Sequence, residues 1–459
     1  MDEFPTILHL GLGSFHRTHQ AAYMQALADR GGRQWRLVAG NIRPDMRQIE
    51  DQLVEQAGRY VLETVSPEGR RAYRTIDAIK RIIRFTPDLK EHIAVGRDRS
   101  TRILSMTVTE AGYFLTPERT LMRAAPDLAS DLTTGSHRTL YGVLGAILAA
   151  RMRANTGPVT LLSCDNLRSN GERLSAGLDA FLEARGERDL LAWCAANVTA
   201  PNAMVDRITP RPPADLAERV KLATGWSDAC PVMAEEFHQW VIEDRFANGR
   251  PELERVGVQF VDDVAPYEEA KIRILNASHS AIAWAGVLKG YAFIHQGASD
   301  PDILPVVRAY IRDAVIPCLS PSPIDLTAYG ETTLNRFSNP DIQDTNQRVA
   351  ADGCAKIPGF IAPTVLECLA AGTGVDSIAM LPALFILFMQ RWAAGTLPFE
   401  YQDQALDPAV MKRILASGDP VAAFCADAQF WGQLAADPRL TAAVSAAYSR
   451  ACGSLGMNS

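Results

Sequence analysis

Along the first third of the chain, short apolar runs alternate with segments of helical periodicity. "TILHLGLG" (6–13) is a strand-like run ending in glycines. "HQAAYMQALADRGG" (19–32) repeats its apolar positions at helical spacing and stops at a glycine pair, and "WRLVAGN" (35–41) predicts the next strand. Further strands are predicted at 102–110 and 157–166, with helices over 139–153 and 172–197. Strands that alternate with helices imply a parallel sheet covered on both faces, so the first region reads as an α/β Rossmann-type domain. After about residue 266 the pattern becomes almost wholly helical, with helices predicted at 268–288, 301–317, 341–351, 361–371, 378–394 and 420–450. The expected division is a dinucleotide-binding domain over 1–265 and a mostly α-helical catalytic and substrate domain over 266–459. No internal repeat or low-complexity tract interrupts this order.

At 459 residues the chain exceeds one hydrophobic core, in keeping with that division. Its net charge of −7 argues against a nucleic-acid or anionic-membrane surface. The N-terminal "MDEFPTILHL" lacks the basic and apolar regions of a secretory signal. The longest apolar run, "IAMLPALFILFM" (378–389), contains a proline and falls short of the roughly 20 residues that span a bilayer. The eight cysteines include no C-x-x-C pair, which favours reduced thiols and a cytoplasmic location. There is also no H-E-x-x-H and no Cys/His cluster with zinc spacing, so a zinc-dependent enzyme is disfavoured.

The turn "GLGSFHRTH" (11–19) lies between the first strand and the first helix, where a dinucleotide pyrophosphate would meet a helix N-terminus. Gly11 permits the tight turn and Gly13 lets the backbone approach the phosphates; His16 replaces the third glycine of the usual fingerprint. After the second strand, "GNIRPD" offers Asn41, Arg43 and Asp45. Asp45 would hold the ribose hydroxyls of NAD, whereas Arg43 would accept the 2′-phosphate of NADP. NAD is the expected cofactor.

The stretch "YEEAKIRILNASHS" (267–280) has the apolar density of a buried helix yet carries Glu268, Lys271, Asn276 and His279. At 3.6 residues per turn these four project within an arc of about 140°, together with Ile272 and Leu275. Polar groups mixed into an apolar face suggest a lined cleft. Oxidising an alcohol by hydride transfer requires a group to take the hydroxyl proton, and without zinc a side chain must do so. Lowering a lysine by about two pKa units costs roughly 2.7 kcal/mol, which desolvation supplies. Lys271 is the candidate base and Glu268, one turn away, the candidate relay. Neutral amides suit a developing alkoxide, which points to Asn276 and to Asn166 at the end of a predicted strand. His279 could bind a substrate hydroxyl or hold the lysine. Two other stretches carry charge: "PNAMVDRITP" (201–210) with Asp206 and Arg207, and the 335–358 segment with Arg348 and Lys356. Each reads equally as a site for substrate oxygens or as local charge pairing.

In this order, "GLGSFHRTHQA", "TVTEAGY", "SCDN", "PNAMVDRITP", "YEEAKIRILNASHS" and "RFSNPDIQDTNQRVAADG" resemble the polyol-specific long-chain dehydrogenases, the mannitol dehydrogenase family. The resemblance spans nearly the whole chain. It implies a metal-independent, usually monomeric enzyme with Lys271 as base, Glu268 as relay, Asn166 and Asn276 as the oxyanion pair, and His279 against substrate. It also implies active-site places for Asp206, Arg348 and Lys356, and cofactor-binding places for Phe15, Arg17 and Thr109 within the quoted motifs. The implied reaction is D-arabinitol + NAD⁺ giving D-xylulose + NADH + H⁺. Mannitol oxidation and hexuronate reduction are the alternatives within the family. A nucleotide-binding sensor without turnover is the alternative outside it.

Overall fold

The computed structural model describes residues 4–32, 35–116 and 119–454; the acidic start of the chain, residues 1–3, lies outside them. The chain divides into two compact units. One holds Arg70–Ala265 and the residues before Pro67; the other holds Pro266 onward, together with Pro67–Gly69.

The first unit contains twelve strands among the described residues: β1 (Thr6–Leu10), β2 (Arg36–Gly40), β3 (Tyr60–Val65), β4 (Arg71–Ile76), β5 (Ile79–Ile83), β6 (Thr101–Met106), β7 (Val159–Ser163), β8 (Val198–Thr199), β9 (Ala203–Asp206), β10 (Val232–Glu235), β11 (Gln239–Glu243) and β12 (Gln259–Val261). Six of them form a parallel sheet in the order β5-β2-β1-β6-β7-β8. The period of two along β1 explains its two-sided burial. Ile7 joins Leu37, Ile103 and the helix Gln20–Asp29 in one core, while Leu8 and Leu10 join Val38, Leu104 and the helix Leu140–Ala154 in the other. Strand order reverses at β1, where β2 lies on one side and β6 on the other. The crevice beyond the carboxyl ends of these strands is where a doubly wound sheet binds its ligand. Two three-stranded sheets, β10-β3-β4 and β12-β11-β9, extend the unit and were not predicted. The predicted helix over 172–197 is two, Asn170–Ala184 and Arg188–Asn197, separated by Gly186 at φ +71.

The second unit is helical. The predicted 268–288 helix is interrupted by a π-helical turn at Lys271–Asn276, between Ala265–Ala270 and Ala277–Leu288. Further π turns lie at Ile311–Val315 and Ile357–Ile361. The predicted 341–351 helix shortens to Asn346–Ala350, because Ala351 turns to extended backbone and Asp352 to φ +56. The predicted 420–450 helix is three pieces, Pro420–Cys425, Ala428–Trp431 and Pro438–Ser454. The apolar run within 378–389 lies mostly in the buried helix Met380–Ala393. The continuous helical stretch Gly353–Ala370 has the length and composition of a bilayer span, at mean hydropathy 1.2. However, Ile357, Ile361, Val365 and Cys368 are buried within the protein, the behaviour of a core helix.

Candidate active site

At the switch point, Gly11 N–H donates to Gly40 O at 2.9 Å and Thr107 N–H to Leu10 O at 3.1 Å. Gly11 has φ +125, and a Cβ there would sit 2.6 Å from Thr107 O, so both conformation and space demand glycine. Gly13 differs. Its backbone is ordinary (φ −62, ψ 167), and a Cβ would meet nothing within 4 Å. The open space over Gly13, at the start of the helix Ser14–Thr18, is the kind of cradle into which a pyrophosphate fits. Phe15 is partly buried on that helix and stacks on His19, with ring centroids 5.0 Å apart.

Asn41 braces this turn: its Oδ1 accepts Leu12 N–H at 2.8 Å and its Nδ2 donates to Glu50 at 3.0 Å. Arg17 is buried; its guanidinium donates to Cys230 O at 2.5 Å and lies 5.4 Å from the centre of the Tyr60 ring. Asn41 and Arg17 thus make internal contacts that shape the loop. Asp45 is exposed in the turn Pro44–Met46, and the neighbouring Arg43 is 3.8 Å from Asp127. The third-glycine position is also built differently from the usual fingerprint: His16 is fully buried and stacks on His9 of β1 at 3.5 Å. Burial holds His16 near pKa 3, so this pair is neutral packing between strand and helix.

Thr109 follows β6 at φ +68, ψ 165, a strained conformation for a β-branched residue. Asp165 holds it there. Its carboxylate accepts Val108 N–H and Thr109 N–H, each at 2.9 Å, and the Tyr113 hydroxyl at 2.9 Å. Burial pushes Asp165 up to about 6 against the pull of those three donors. The next residue, Asn166, is exposed beyond the end of β7. Asp206 is buried at the end of β9. Its neighbour Arg207 donates to Glu235 O at 2.9 and 2.8 Å and to Thr18 O, so it ties β9, β10 and the first helix together rather than facing outward.

In the helical unit, Lys271 and Glu268 are each only 6% exposed. The π turn changes their geometry. Its hydrogen bonds run from i to i+5, so Asn276 comes nearly above Lys271 instead of about 140° around the helix. The arc that holds Glu268, Lys271, Asn276 and His279 narrows to roughly half the width predicted from α periodicity. The turn is supported from outside. The Tyr310 hydroxyl donates to Arg273 O at 2.7 Å, and Ser280 Oγ donates to Asn276 O at 2.8 Å. Arg273 itself is anchored by Glu269 at 2.7 Å and by Glu367 at 2.6 and 2.8 Å.

His279 stacks on Phe337 with ring centroids 4.3 Å apart, and its Nε2 lies 3.4 Å from Asp344 Oδ2. Burial lowers its pKa, so the imidazole is neutral. With the proton on the nitrogen facing Asp344, Nδ1 keeps its lone pair for a substrate hydroxyl. Asp344 also accepts the Arg348 fork, with Nε at 2.7 Å and Nη2 at 2.5 Å. Burial alone would raise the Asp344 carboxyl, but His279 and Arg348 outweigh it and hold it well below the usual range. Lys356 is half-buried and donates to Val349 O at 2.5 Å. Burial lowers it to about 8 even though Asp352 and Asp403 favour its charge. Arg348 and Lys356 therefore come together without a continuous helix. The break between them is fixed by a loop that the sequence reading missed: Asp403 accepts Cys354 N–H at 2.8 Å and the Tyr401 hydroxyl at 2.6 Å.

Both parts of the chain match one family. Residues 5–255 match the mannitol dehydrogenase Rossmann domain and residues 263–452 the mannitol dehydrogenase C-terminal domain. A Rossmann-type α/β unit followed by a helical unit with a lysine-bearing helix defines the class; the chain belongs to the mannitol dehydrogenase family, a family of polyol dehydrogenases. Among its relatives, D-arabinitol 4-dehydrogenase from Ralstonia nicotianae is 54% identical over 97% of this chain and 96% of its own length. The D-arabinitol 4-dehydrogenase of Klebsiella pneumoniae is 51% identical over 94% of each. The structure of Pseudomonas fluorescens mannitol 2-dehydrogenase, a ternary complex with NAD and D-mannitol, is 34% identical with a TM-score of 0.87, over 99% of this chain and 94% of that one.

Proposed function

We propose that this enzyme oxidises D-arabinitol to D-xylulose with NAD⁺, using Lys271 as general base. The observation that carries the reading is a buried amine on a π turn with Asn276 on the same face, in a chain 54% identical to a D-arabinitol 4-dehydrogenase. The bound cofactor supplies the hydride acceptor, and the open space at Gly13 fits its pyrophosphate. The substrate hydroxyl gives its proton to the neutral Lys271 amine as the hydride leaves carbon. Glu268, one turn earlier, carries that proton onward. Asn276 and Asn166 stabilise the alkoxide as charge develops, without titrating themselves. His279, Arg348, Lys356 and Asp206 bind the remaining hydroxyls of the polyol. Every role in this sequence is filled by a protein side chain, so the mechanism requires no metal ion, and a chelator should leave the rate unchanged.

A substrate panel with purified enzyme and both nicotinamide cofactors tests the reading by the absorbance of the reduced cofactor. D-arabinitol with NAD⁺ should give the highest kcat/KM. An enzyme silent on pentitols that reduces fructuronate would instead be a hexuronate reductase.

A further inference from the structure

We propose that Asp344 is a specificity-determining residue that reserves this part of the site for uncharged polyols and turns anionic sugars away. The inference rests on the polyol dehydrogenase reading and goes beyond it, because Arg348 and Lys356 alone would suit a carboxylate or phosphate as well as hydroxyls. An arginine binds an anion best through its two-pronged fork. Here the side-on fork is already occupied: Nε and Nη2 of Arg348 meet the two oxygens of Asp344 at 2.7 and 2.5 Å. Two N–H groups on Nη1 and one on Nη2 remain for hydroxyl oxygens, on a guanidinium whose charge Asp344 already balances.

The same carboxylate lies 3.4 Å from His279 Nε2, a proximity that favours the proton on that nitrogen and leaves Nδ1 as the acceptor. Phe337 fixes the ring from its face. The cluster then offers an acceptor at His279 and donors at Arg348 and Lys356, with the arginine charge balanced by Asp344. Vicinal hydroxyls, each both donor and acceptor, match this set. A carboxylate would meet an arginine whose charge is already balanced on one face, beside the buried negative charge of Asp344.

The test compares D-arabinitol with D-arabinonate, its acid analogue, as substrate and competitive inhibitor. For the wild type, the KM for D-arabinitol should lie at least tenfold below the Ki for D-arabinonate. In Asp344→Asn the ratio of Ki to that KM should fall at least tenfold, from a higher polyol KM and a lower aldonate Ki, and Asp344→Glu should restore part of it. A merely structural role would weaken both ligands together, and an unchanged ratio overturns the proposal. If Asp344→Asn does not fold, the wild-type comparison decides: aldonate binding as tight as polyol binding overturns the proposal. A wild type that turns over D-arabinitol while failing these criteria refutes only the role of Asp344. A wild type with no polyol activity refutes the reading beneath it.

Discussion

Asp165 and Asn166 are adjacent at the end of β7 and face opposite environments, one buried against the β6 loop and one exposed. Asn166 could be read from the sequence, because an amide at the end of a predicted strand suits an oxyanion. Asp165 could not, since its partners lie more than fifty residues away at Val108, Thr109 and Tyr113. The same holds for Asp344 and His279, and for Asn41 and Leu12: type and spacing mark the chemical group, whereas the residue that holds it is set by tertiary contact. Asp165 yields a stability prediction. Its folded pKa of about 6 lies above the ordinary carboxyl value of 3.8, so between those pH values the native state keeps a proton that the unfolded state releases. The group therefore favours folding at low pH, by on the order of 3 kcal/mol, and that contribution is lost as pH rises through 6. Asp165→Asn cannot titrate. In urea melts, the unfolding free energy of wild type minus variant should fall by about 2 kcal/mol between pH 4 and 6.5. A flat difference would show that Asp165 has an ordinary pKa.

The elements that carry the site were partly legible. The alternating pattern predicted β1, β2, β6 and β7 of the main sheet and missed β5 and β8 at its two edges, because a strand buried on both faces is a short apolar run and its covering helices keep their own period. In the smaller sheets β4 escaped notice because its pattern is mixed, reading "RAYRTI" with only Ile76 buried, whereas β3, β9, β10 and β11 are largely buried strands. The break before Pro438 had a signal that went unused, since Asp437 caps Arg439 N–H at 2.8 Å ahead of a proline at the first helical position. The π turn at Lys271–Asn276 left no compositional mark at all. Its stability comes partly from Tyr310, on a different helix. Tyr310→Phe removes a buried donor to Arg273 O and should cost about 1–3 kcal/mol of stability. If the turn aligns Lys271 with Asn276, the same change should also lower kcat about tenfold with the KM for polyol little altered, as expected when an interaction made only in the transition state weakens. Full kcat in a folded Tyr310→Phe enzyme would show that the turn does not depend on this bond.

For the whole molecule, the fold class followed from the change of period along the chain, and the family from motifs spread over nearly its full length. A net charge of −7 matches an enzyme acting on a neutral small molecule. The proposed chemistry depends on one amine giving up its charge, and Lys271 is only 6% exposed. The most direct test is Lys271→Ala, assayed for NAD-dependent oxidation of D-arabinitol and titrated with NADH by fluorescence. Loss of the base should lower kcat by about 10²–10⁴-fold, while NADH affinity stays within about twofold of wild type because no part of the glycine turn has changed. A variant that binds NADH normally and keeps wild-type kcat would contradict the account.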